Sequence, residues 1–398
     1  MPTVVQKFGG SSVADLEKLG KVADLVVATK RRGERVVAVV SAMGKTTENL
    51  ITLAHQAGKT ATAAFEPPRR ELDMLVSTGE RVSMALLSIA IQARGVSAVS
   101  FTGSQSGLIT NDRHFDARIL EVRPHRIEDE LERGHVVIVA GYQGMSYRRE
   151  ITTLGRGGSD TTAVALAAAL GADRCEIYSD VDGVYTADPN SVPSARHLPS
   201  LDYATLQEMA EAGAKVLNAQ AVEWARRHKV AIHARRTADF ATGGRGRETL
   251  VVEQPGDTPA CAVVGDRKLA LVSARADAAE ALLGAARDAE LPLRDVVTAG
   301  DRIALTIPLT SVPDPARLQA TLASKALPGF TCSCEEFGEI SAIGIGAGAR
   351  PDRLARALTS LGGAARLTVS GPLRVSAVIP RDLVGEAEQR WHALFVEN

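Results

Sequence analysis

The chain has 398 residues, of which 45% are hydrophobic and 23% are charged, and its formal net charge at pH 7 is −1. This length is sufficient for two or three domains, and the composition is ordinary for a globular protein with complete hydrophobic cores. The nearly balanced charge excludes a strongly basic surface, so neither a nucleic acid nor an anionic membrane is expected as a partner.

Short β-branched runs alternate with helical patterns over residues 1–240, which predicts an α/β domain with a largely parallel sheet between helices. The predicted strands are Val4–Phe8, Arg35–Ser41, Ala98–Phe101, His135–Ala140, Arg174–Ser179 and Val230–Ala234. The main predicted helices are Asp15–Thr29, Glu80–Arg94 and Asp160–Leu170. A polar stretch rich in Gly and Arg, Thr242–Glu248, is typical of a domain boundary.

A smaller pattern of strand, helix, hairpin and helix occurs twice after Ala262, which predicts two ferredoxin-like α+β units. The first copy comprises Lys268–Ala274, Asp277–Glu290, Leu293–Pro308 and Pro315–Lys325, and the second comprises Glu339–Gly346, Pro351–Leu361, Ala365–Pro380 and Asp382–Phe395. The segment between the copies, Pro328–Glu336, is interpreted as an edge strand of either unit. The predicted domains are therefore 1–245, a linker at 246–262, and the tandem units at 263–398.

The first chemical motif, Lys7–Ser12 (KFGGSS), lies at the end of the first predicted strand and before a helix. Adjacent glycines let the backbone approach phosphate oxygens, and a helix start adds unpaired N–H donors. A lysine there can stabilise the charge on a phosphoryl group during its transfer. By itself the motif is more typical of an ordinary strand-to-helix turn with a solvated lysine, because Gly pairs are common in turns.

The second motif, Thr152–Thr162 (TTLGRGGSDTT), precedes an Ala-rich helical pattern. Its glycines again place N–H groups at a helix start, and Arg156 supplies a planar fork suited to a carboxylate. Asp160 is either an N-cap or N1 carboxylate that satisfies helix donors, or a functional acid. The combination of three glycines, an arginine and an acid favours a functional loop.

Two further motifs point to a nucleotide. Tyr178–Pro189 (YSDVDGVYTADP) follows a predicted strand, where polar and aromatic groups are well placed to bind a nucleotide, and its acids do not have the spacing of a calcium loop. Gly213–Leu217 contains Lys215. Only ten lysines occur in the chain and none between Ala61 and Ala214, because arginine serves as the usual surface cation. Lys7 and Lys215, which stand in Gly-rich or catalytic-like contexts, are therefore candidate functional residues.

The sequence also predicts a cytoplasmic location. The first predicted strand begins near Met1 without a signal peptide, and no stretch is expected to span a membrane. The four cysteines show neither disulfide nor zinc spacing, which favours a reducing compartment.

Together these motifs closely resemble the aspartate kinase family of the amino acid kinase superfamily. The matching phrases, in the order of the family, are KFGGSSV at Lys7–Val13, VSAMGKTTENL at Val40–Leu50, STGE at Ser77–Glu80, FTGSQSG at Phe101–Gly107, VAGYQG at Val139–Gly144, TTLGRGGSDTT at Thr152–Thr162, YSDVDGVYTADP at Tyr178–Pro189 and GAKV at Gly213–Val216. The resemblance implies an amino acid kinase fold followed by two ACT-like domains. It also implies ATP-dependent phosphorylation of the β-carboxylate of L-aspartate, the first step toward lysine, threonine and methionine.

The resemblance further implies a role for each matching residue. Lys7 would stabilise the transferring phosphoryl group, Asp160 would orient the catalytic lysines and touch the substrate amine, and Lys215 would be the lysine on the nucleotide side. Aspartate would be bound by Ser41, Thr47, Glu80, Arg156, Gly157, Gly158 and Ser159, with Arg156 on its α-carboxylate. ATP would be bound by Lys7, Phe8, Gly9, Gly10, Ser11, Ser179, Asp180, Tyr185, Lys215 and Val216. Mg²⁺ would be shared by the phosphates, with no metal site built by the protein.

The chain departs from the family pattern in two places. Asn190 replaces the arginine that usually follows Asp-Pro in the nucleotide motif. The replacement removes a cation that would reach the phosphates, so the ATP affinity expected from the family does not carry over directly. In the first ACT-like repeat, Ser273–Ala279 lacks the Gly and Pro of the usual effector turn, and the amides expected near Val297 are absent. Weak or absent inhibition by lysine or threonine is therefore predicted. Asp277 is interpreted as a helix N-cap, or alternatively as a ligand for an effector amine.

The ACT-like repeats are expected to form at least a homodimer. Three alternatives to the main interpretation remain: another amino acid kinase, a paralogue acting on aspartate or a close analogue in a specialised pathway, and a regulatory protein with an inactive kinase domain. The presence of Lys7, Asp160 and Lys215 favours an active enzyme.

Overall fold

The computed structural model describes residues 1–59, 66–155, 157–214, 217–241, 246–254, 262–312 and 315–397. Arg156, Lys215 and Val216, which the sequence places in the site, lie outside the described residues. The chain forms two compact units. Unit 1 comprises 1–184, 199–203 and 217–256, and unit 2 comprises 185–198, 204–216 and 257–398.

The described residues form 20 strands and 13 α-helices. The strands are β1 Thr3–Phe8, β2 Arg35–Val40, β3 Ala98–Phe101, β4 Leu108–Thr110, β5 Ile119–Val122, β6 Val136–Ala140, β7 Gln143–Ser146, β8 Ile151–Thr153, β9 Arg174–Ser179, β10 Val184–Tyr185, β11 His197–Leu198, β12 Ser200–Asp202, β13 Ile232–Arg236, β14 Glu248–Val252, β15 Ala262–Arg275, β16 Asp295–Ala299, β17 Arg302–Pro308, β18 Thr331–Ile343, β19 Leu367–Ser370 and β20 Arg374–Pro380. The helices are α1 Leu16–Arg31, α2 Thr46–Ala57, α3 Arg69–Val76, α4 Thr78–Gln92, α5 His125–Glu132, α6 Gly158–Ala169, α7 Tyr203–Glu211, α8 Ala219–His228, α9 Thr237–Ala241, α10 Ala279–Asp288, α11 Pro315–Ala323, α12 Pro351–Ser360 and α13 Val384–Phe395.

Unit 1 is built on an eight-stranded sheet in the order β12-β14-β13-β9-β1-β2-β6-β3. Every neighbouring pair is parallel except β13 and β14. The central strand β1 is buried along its whole length, as expected for a β-branched strand covered on both faces. The predicted α/β fold is therefore confirmed, and the last predicted strand begins at Ile232 instead of Val230.

The side chains of β1 point alternately to the two faces of the large sheet. Val4 and Phe8 point into a core with residues of α1 and α4, including Val22, Val26 and Leu87. Successive side chains of a strand point to opposite faces, so Lys7 lies on the other face, where α6 contacts β1.

Two parts of unit 1 were not predicted from the sequence. A four-stranded sheet in the order β5-β4-β7-β8 consists of strands only three or four residues long. Glu248–Val252, which falls in the predicted linker, forms β14 of the large sheet.

Unit 2 contains a six-stranded antiparallel sheet in the order β16-β17-β15-β18-β20-β19. Each predicted repeat has its own core, one around Leu282 and Leu305, the other around Ile340 and Trp391. The long strands β15 and β18 pair with each other and join both repeats into one sheet.

The predicted edge strand between the repeats is confirmed: Thr331–Glu336 is the first half of β18, which pairs with β15 of the first repeat, whereas the pairing of β18 with β20 begins only at Phe337. One sequence interpretation in unit 2 was wrong. Asp277 is not an N-cap: it lies in a short 3₁₀ turn before α10, and its carboxylate pairs with Arg275 at 2.7 Å.

By length and composition, one helical stretch of the described chain, Arg69–Gln92, is apolar enough to cross a membrane, which the sequence analysis did not anticipate. A core helix passes the same test, and 44% of its apolar window is buried inside the protein. Leu87 and Ile91 of this stretch belong to the main core of unit 1.

Candidate active site

The sequence motifs of unit 1 follow adjacent strands of the large sheet. Because β9, β1, β2 and β6 are parallel neighbours, their carboxyl ends meet at one edge, the usual ligand edge of such a sheet. Three backbone hydrogen bonds continue the strand pairing past the strand ends: Gly9 N to Tyr178 O (3.0 Å), Ser41 N to Phe8 O (3.1 Å) and Gly141 N to Val40 O (3.0 Å). Four motif loops therefore leave the sheet side by side.

An ion pair lies at this edge. Lys7 Nζ is 2.6 Å from Asp160 Oδ1, and only 11% of each side chain is exposed. Asp160 is the third residue of α6 and makes no capping bond there, since the N-cap is Gly157. The N-cap alternative for Asp160 is thus excluded. Its carboxylate, close to the positive end of the helix, holds a lysine instead.

The loop after β1 is fixed by close packing. A Cβ on Gly10 would approach Ala42 O to 2.8 Å, so a side chain at this position would collide with the next loop. Gly44 N donates to Gly10 O at 3.1 Å, while Ser11 is exposed at the loop surface. The loop therefore presents backbone and a small hydroxyl side chain.

One expectation about this loop was wrong. The helix after it, α1, begins only at Leu16, and its N-cap Asp15 accepts a hydrogen bond from Lys18 N. The start of α1 is therefore already capped and is separated from Gly10. The uncapped helix start near Lys7 belongs to α6, which begins immediately after Gly157.

Thr237 connects the first loop to the nucleotide motif and was not identified from the sequence. Its hydroxyl is 2.6 Å from Ser12 Oγ and donates to Ser179 O at 3.1 Å. These contacts span more than 200 residues and 58 residues of sequence, respectively. No local pattern around Thr237 would have revealed them.

The Gly-rich loop before α6 has a backbone that requires glycine. Gly155 and Gly157 have positive φ angles of 70° and 73°. A Cβ on Gly157 would lie 2.7 Å from Asn218 Cβ, and one on Gly158 would lie 2.6 Å from Leu154 Cβ. Arg156 itself is outside the described residues, but the chain on both sides of it has this close-packed conformation.

Glu80 and Ser159 lie beside these loops. Glu80 is 3% exposed, and its Oε1 accepts a hydrogen bond from Ala42 N at 3.1 Å, whereas its Oε2 has no hydrogen-bond partner. Burial raises the pKa of Glu80 to about 7. Ser159 packs against Gly141, where a Cβ would come within 2.7 Å of Ser159 Oγ. Thr47 is half-buried in the first turn of α2.

The nucleotide motif is divided between the units. Ser179 Oγ accepts from Val181 N at 3.2 Å, and Asp180 is exposed. Asp182 is buried and pairs with Arg247 at 2.7 Å, so it supports the loop through an ion pair that the sequence analysis did not identify. Tyr185 belongs to unit 2.

Comparison with known proteins places these motifs in context. A family model described as the amino acid kinase family matches residues 2–235. An aspartokinase of Mycolicibacterium smegmatis is 40% identical over 411 residues, covering 99% of this chain and 96% of that protein. One from Thermus thermophilus is 39% identical over 418 residues, covering 99% of each. The structure of E. coli aspartokinase III in complex with aspartate and ADP matches with a TM-score of 0.86 and 25% identity, covering 98% of this chain and 99% of that one.

Proposed function

This chain belongs to the aspartokinases of the amino acid kinase family, and we infer that the Lys7–Asp160 pair lies at the centre of its active site. The chain catalyses ATP-dependent phosphorylation of the β-carboxylate of L-aspartate, giving 4-phospho-L-aspartate and ADP. This reaction starts the pathway to lysine, threonine and methionine. The observation that carries the site assignment is a buried lysine held by a carboxylate at the ligand edge of the sheet.

The proposed role of Lys7 follows from its position. A β-carboxylate oxygen of aspartate attacks the γ-phosphorus, and the bond to the oxygen that bridges the β- and γ-phosphates breaks as ADP leaves. Negative charge moves across the phosphoryl group and onto the leaving oxygen during this step. Asp160 holds the Lys7 ammonium at 2.6 Å, so the cation is oriented before the phosphates arrive. Gly9, Gly10 and Ser11, with Phe8 before them, form the adjoining phosphate loop.

Recognition of aspartate is proposed to rest on complementary charges. Arg156 binds the α-carboxylate through its planar fork, and Gly157, Gly158 and Ser159 add donors from the uncapped start of α6. The unpartnered oxygen of Glu80 is available to the substrate ammonium. Ser41 and Thr47 complete the pocket.

ATP is the phosphate donor, and we propose that Mg²⁺ enters with it. No group of three or more His, Cys, Asp or Glu side chains suited to a metal ion occurs among the described residues. The carboxylate of Asp160, in the proposed active site, is already paired with Lys7. A magnesium ion held mainly by phosphates and water is compatible with these residues, and it would neutralise phosphate charge. Ser179 and Asp180 lie at the strand edge, whereas Tyr185, Lys215 and Val216 are assigned to ATP on the resemblance alone.

The remaining proposals concern organisation and control. We assign a catalytic domain to 1–245, with β14 from the linker at 246–262 completing its sheet, and a regulatory pair of ACT-like domains to 263–398. We propose homodimers or larger homo-oligomers through the latter, in the cytoplasm. The turn after β15 carries a side chain at every position, and Asp277 is paired with Arg275, so weak or absent inhibition by lysine or threonine is expected.

A coupled assay tests the reaction. ADP release should require both ATP and L-aspartate, and hydroxylamine should trap the acyl phosphate as a hydroxamate. L-glutamate, N-acetylglutamate and UMP serve as alternative acceptors. ADP release with any of these, but not with L-aspartate, would contradict the proposal. Millimolar lysine and threonine, separately and together, then test the expected lack of inhibition.

A further inference from the structure

Asp73 is a buried carboxylate to which the proposed mechanism gives no role. It lies in α3 and has no exposed surface. Burial raises the pKa of its carboxyl, and hydrogen bonds from Thr153 and His114 act in the opposite direction. An acid so deeply buried is expected only where its neighbours require it.

The neighbours of Asp73 come from two loops around the Gly-rich motif. Thr153 Oγ1 donates to Asp73 Oδ1 at 2.5 Å. Phe115 N donates to the same oxygen at 3.1 Å, and His114 Nδ1 lies 2.6 Å from Oδ2. These partners are 41 to 80 residues away in sequence. One carboxylate therefore joins α3, the segment before β5 and the end of β8.

The two loops also contact each other at residues 153–155, directly before Arg156 in the sequence. Ala117 N donates to Thr153 O at 2.8 Å. A Cβ on Gly155 would lie 2.9 Å from Asp116 Oδ1 and 3.4 Å from Phe115 O. Phe115 has a φ of 70°, an uncommon conformation for a non-glycine residue, and its N–H in that conformation is bonded to Asp73. The chain entering Arg156 is thus packed against a loop that Asp73 holds.

Asp73 shares a helical face with two other anchors of the site. Asp73, Ser77 and Glu80 are spaced by four and three residues, which places them on one side of consecutive helices α3 and α4. Ser77 O accepts from Gln143 Nε2 at 2.8 Å, and Glu80 accepts from Ala42 N. Each anchor holds a different motif loop.

We propose that Asp73 is a positioning residue for aspartate recognition: it fixes Thr153 and the 114–116 segment, and thereby the backbone that presents Arg156. It does not touch substrate. The inference rests on the proposed role of Arg156, and it concerns the aspartate side of the site specifically, because the loops held by Asp73 are not those of the phosphate motif.

Asp73→Asn tests this inference. Asparagine keeps the volume but removes the negative charge and replaces one of the two acceptor oxygens with an NH₂ group. The charge-assisted bonds that hold Thr153, Phe115 and His114 are therefore weakened, and one of the two oxygen positions no longer accepts. Hydrogen bonds to a charged group are stronger than neutral ones, so their weakening loosens this backbone. We expect the KM for L-aspartate to rise about ten- to hundredfold, with the KM for ATP changed by less than about twofold. The matched control is Asp112→Asn, which removes an exposed carboxylate of the neighbouring loop and should leave both constants unchanged.

Thr153→Val gives a second, milder test that keeps Asp73 intact. It removes one donor at nearly constant volume, and we expect a rise in the KM for L-aspartate of about three- to tenfold. If Asp73→Asn protein does not fold, this variant decides the question. Folded variants with an unchanged KM for aspartate, or with equal increases for aspartate and ATP, would overturn the inference. Wild-type protein that fails to phosphorylate aspartate would instead contradict the proposed function.

Discussion

Both units contain a buried arginine or lysine paired with carboxylates, but the two centres differ in how many carboxylates the cation holds. In unit 2, Arg294 donates to Asp266 and to Glu339, each at 2.6 Å, and its side chain is 4% exposed. In unit 1, Lys7 has one carboxylate partner at 2.6 Å, and Glu80, which anchors the loop after β2, keeps one oxygen without any hydrogen-bond partner. Asp266 and Glu339 are direct cross-strand neighbours, so Arg294 neutralises two acids that the sheet places together.

The difference separates a structural centre from a functional one. A buried ion pair whose acids are all neutralised by the protein has no capacity left for a ligand, and its removal exposes uncompensated charge. A buried cation with a single partner retains binding capacity for phosphate groups, and a buried acid with an unused oxygen retains it for an ammonium group. Four substitutions should distinguish the two centres.

The largest effect is expected from Arg294→Ala. It leaves Asp266 and Glu339 buried without their partner, so the free energy of unfolding should fall by about 3–5 kcal/mol. Arg287→Ala is the control, since Arg287 is an exposed arginine that pairs with Asp288 on α10. Urea unfolding followed by circular dichroism measures both. A stability equal to that of the control would show that the Arg294 cluster contributes nothing to the fold.

Lys7→Ala should reverse this pattern by leaving the fold intact and lowering kcat. Loss of one donor that stabilises transition-state charge costs about 100- to 1000-fold in kcat. Lys229→Ala removes an exposed lysine of the same unit and should have no effect on turnover. The coupled assay measures kcat, and a thermal melt tests whether the variant is folded. A folded Lys7→Ala protein with most of its turnover would exclude Lys7 from the mechanism.

Arg156→Lys sharpens the comparison on the substrate side. An ammonium cannot reproduce bidentate pairing with a carboxylate, so the KM for aspartate should rise about tenfold or more, with little change for ATP. Arg148→Lys, at an exposed arginine paired with Asp112, is the control. Equal increases for both substrates would assign Arg156 to the nucleotide instead.

The smallest effect is expected from Glu80→Gln, whose stability relative to wild type should depend on pH. Its pKa is about 7 in the folded protein and near 4.5 when unfolded, so its protonated form stabilises the fold below pH 4.5 and this contribution is lost as pH rises to about 7. Glu80→Gln should therefore gain a few degrees in Tm relative to wild type between those pH values. Thermal melts from pH 4.5 to 8 measure this gain. A constant Tm difference across the range would mean that Glu80 does not titrate there.

The KM of the wild-type protein for aspartate provides a separate readout of Glu80. If the ionised acid binds the substrate ammonium, this KM should fall as pH rises through about 7. The dependence should disappear in Glu80→Gln. A wild-type KM that does not vary with pH would remove Glu80 from the amine-binding role.

The main architecture could be predicted because its signals are local. Continuous β-branched runs such as β1 and β2 identify buried parallel strands, and the Gly-rich phrases identify the loops at their ends. Strands of three residues, such as β4 and β8, contain too few positions to show alternation. They form because two local antiparallel pairs, β4 with β5 and β7 with β8, join through the pairing of β4 with the more distant β7.

The candidate site was predicted only as far as its motifs extend. Lys7, Asp160 and Glu80 stand in recognisable phrases, and the structure brings the first two together. Asp73 and Thr237 act through partners far away in sequence, and neither an aspartate within a helix nor a threonine after a strand is distinctive. Their contribution becomes visible only once the chain has folded.

The pairing of β15 with β18 has a consequence for how the chain is synthesised. β15 ends at Arg275 and β18 begins at Thr331, so the first repeat leaves the ribosome well before the strand that completes its sheet. Until then a long strand presents unpaired N–H and C=O groups along one edge, which is a template for aggregation. Closing so long a loop also slows folding. Truncation within residues 324–330 is therefore expected to give insoluble protein even though the first repeat would retain its own helices and hairpin.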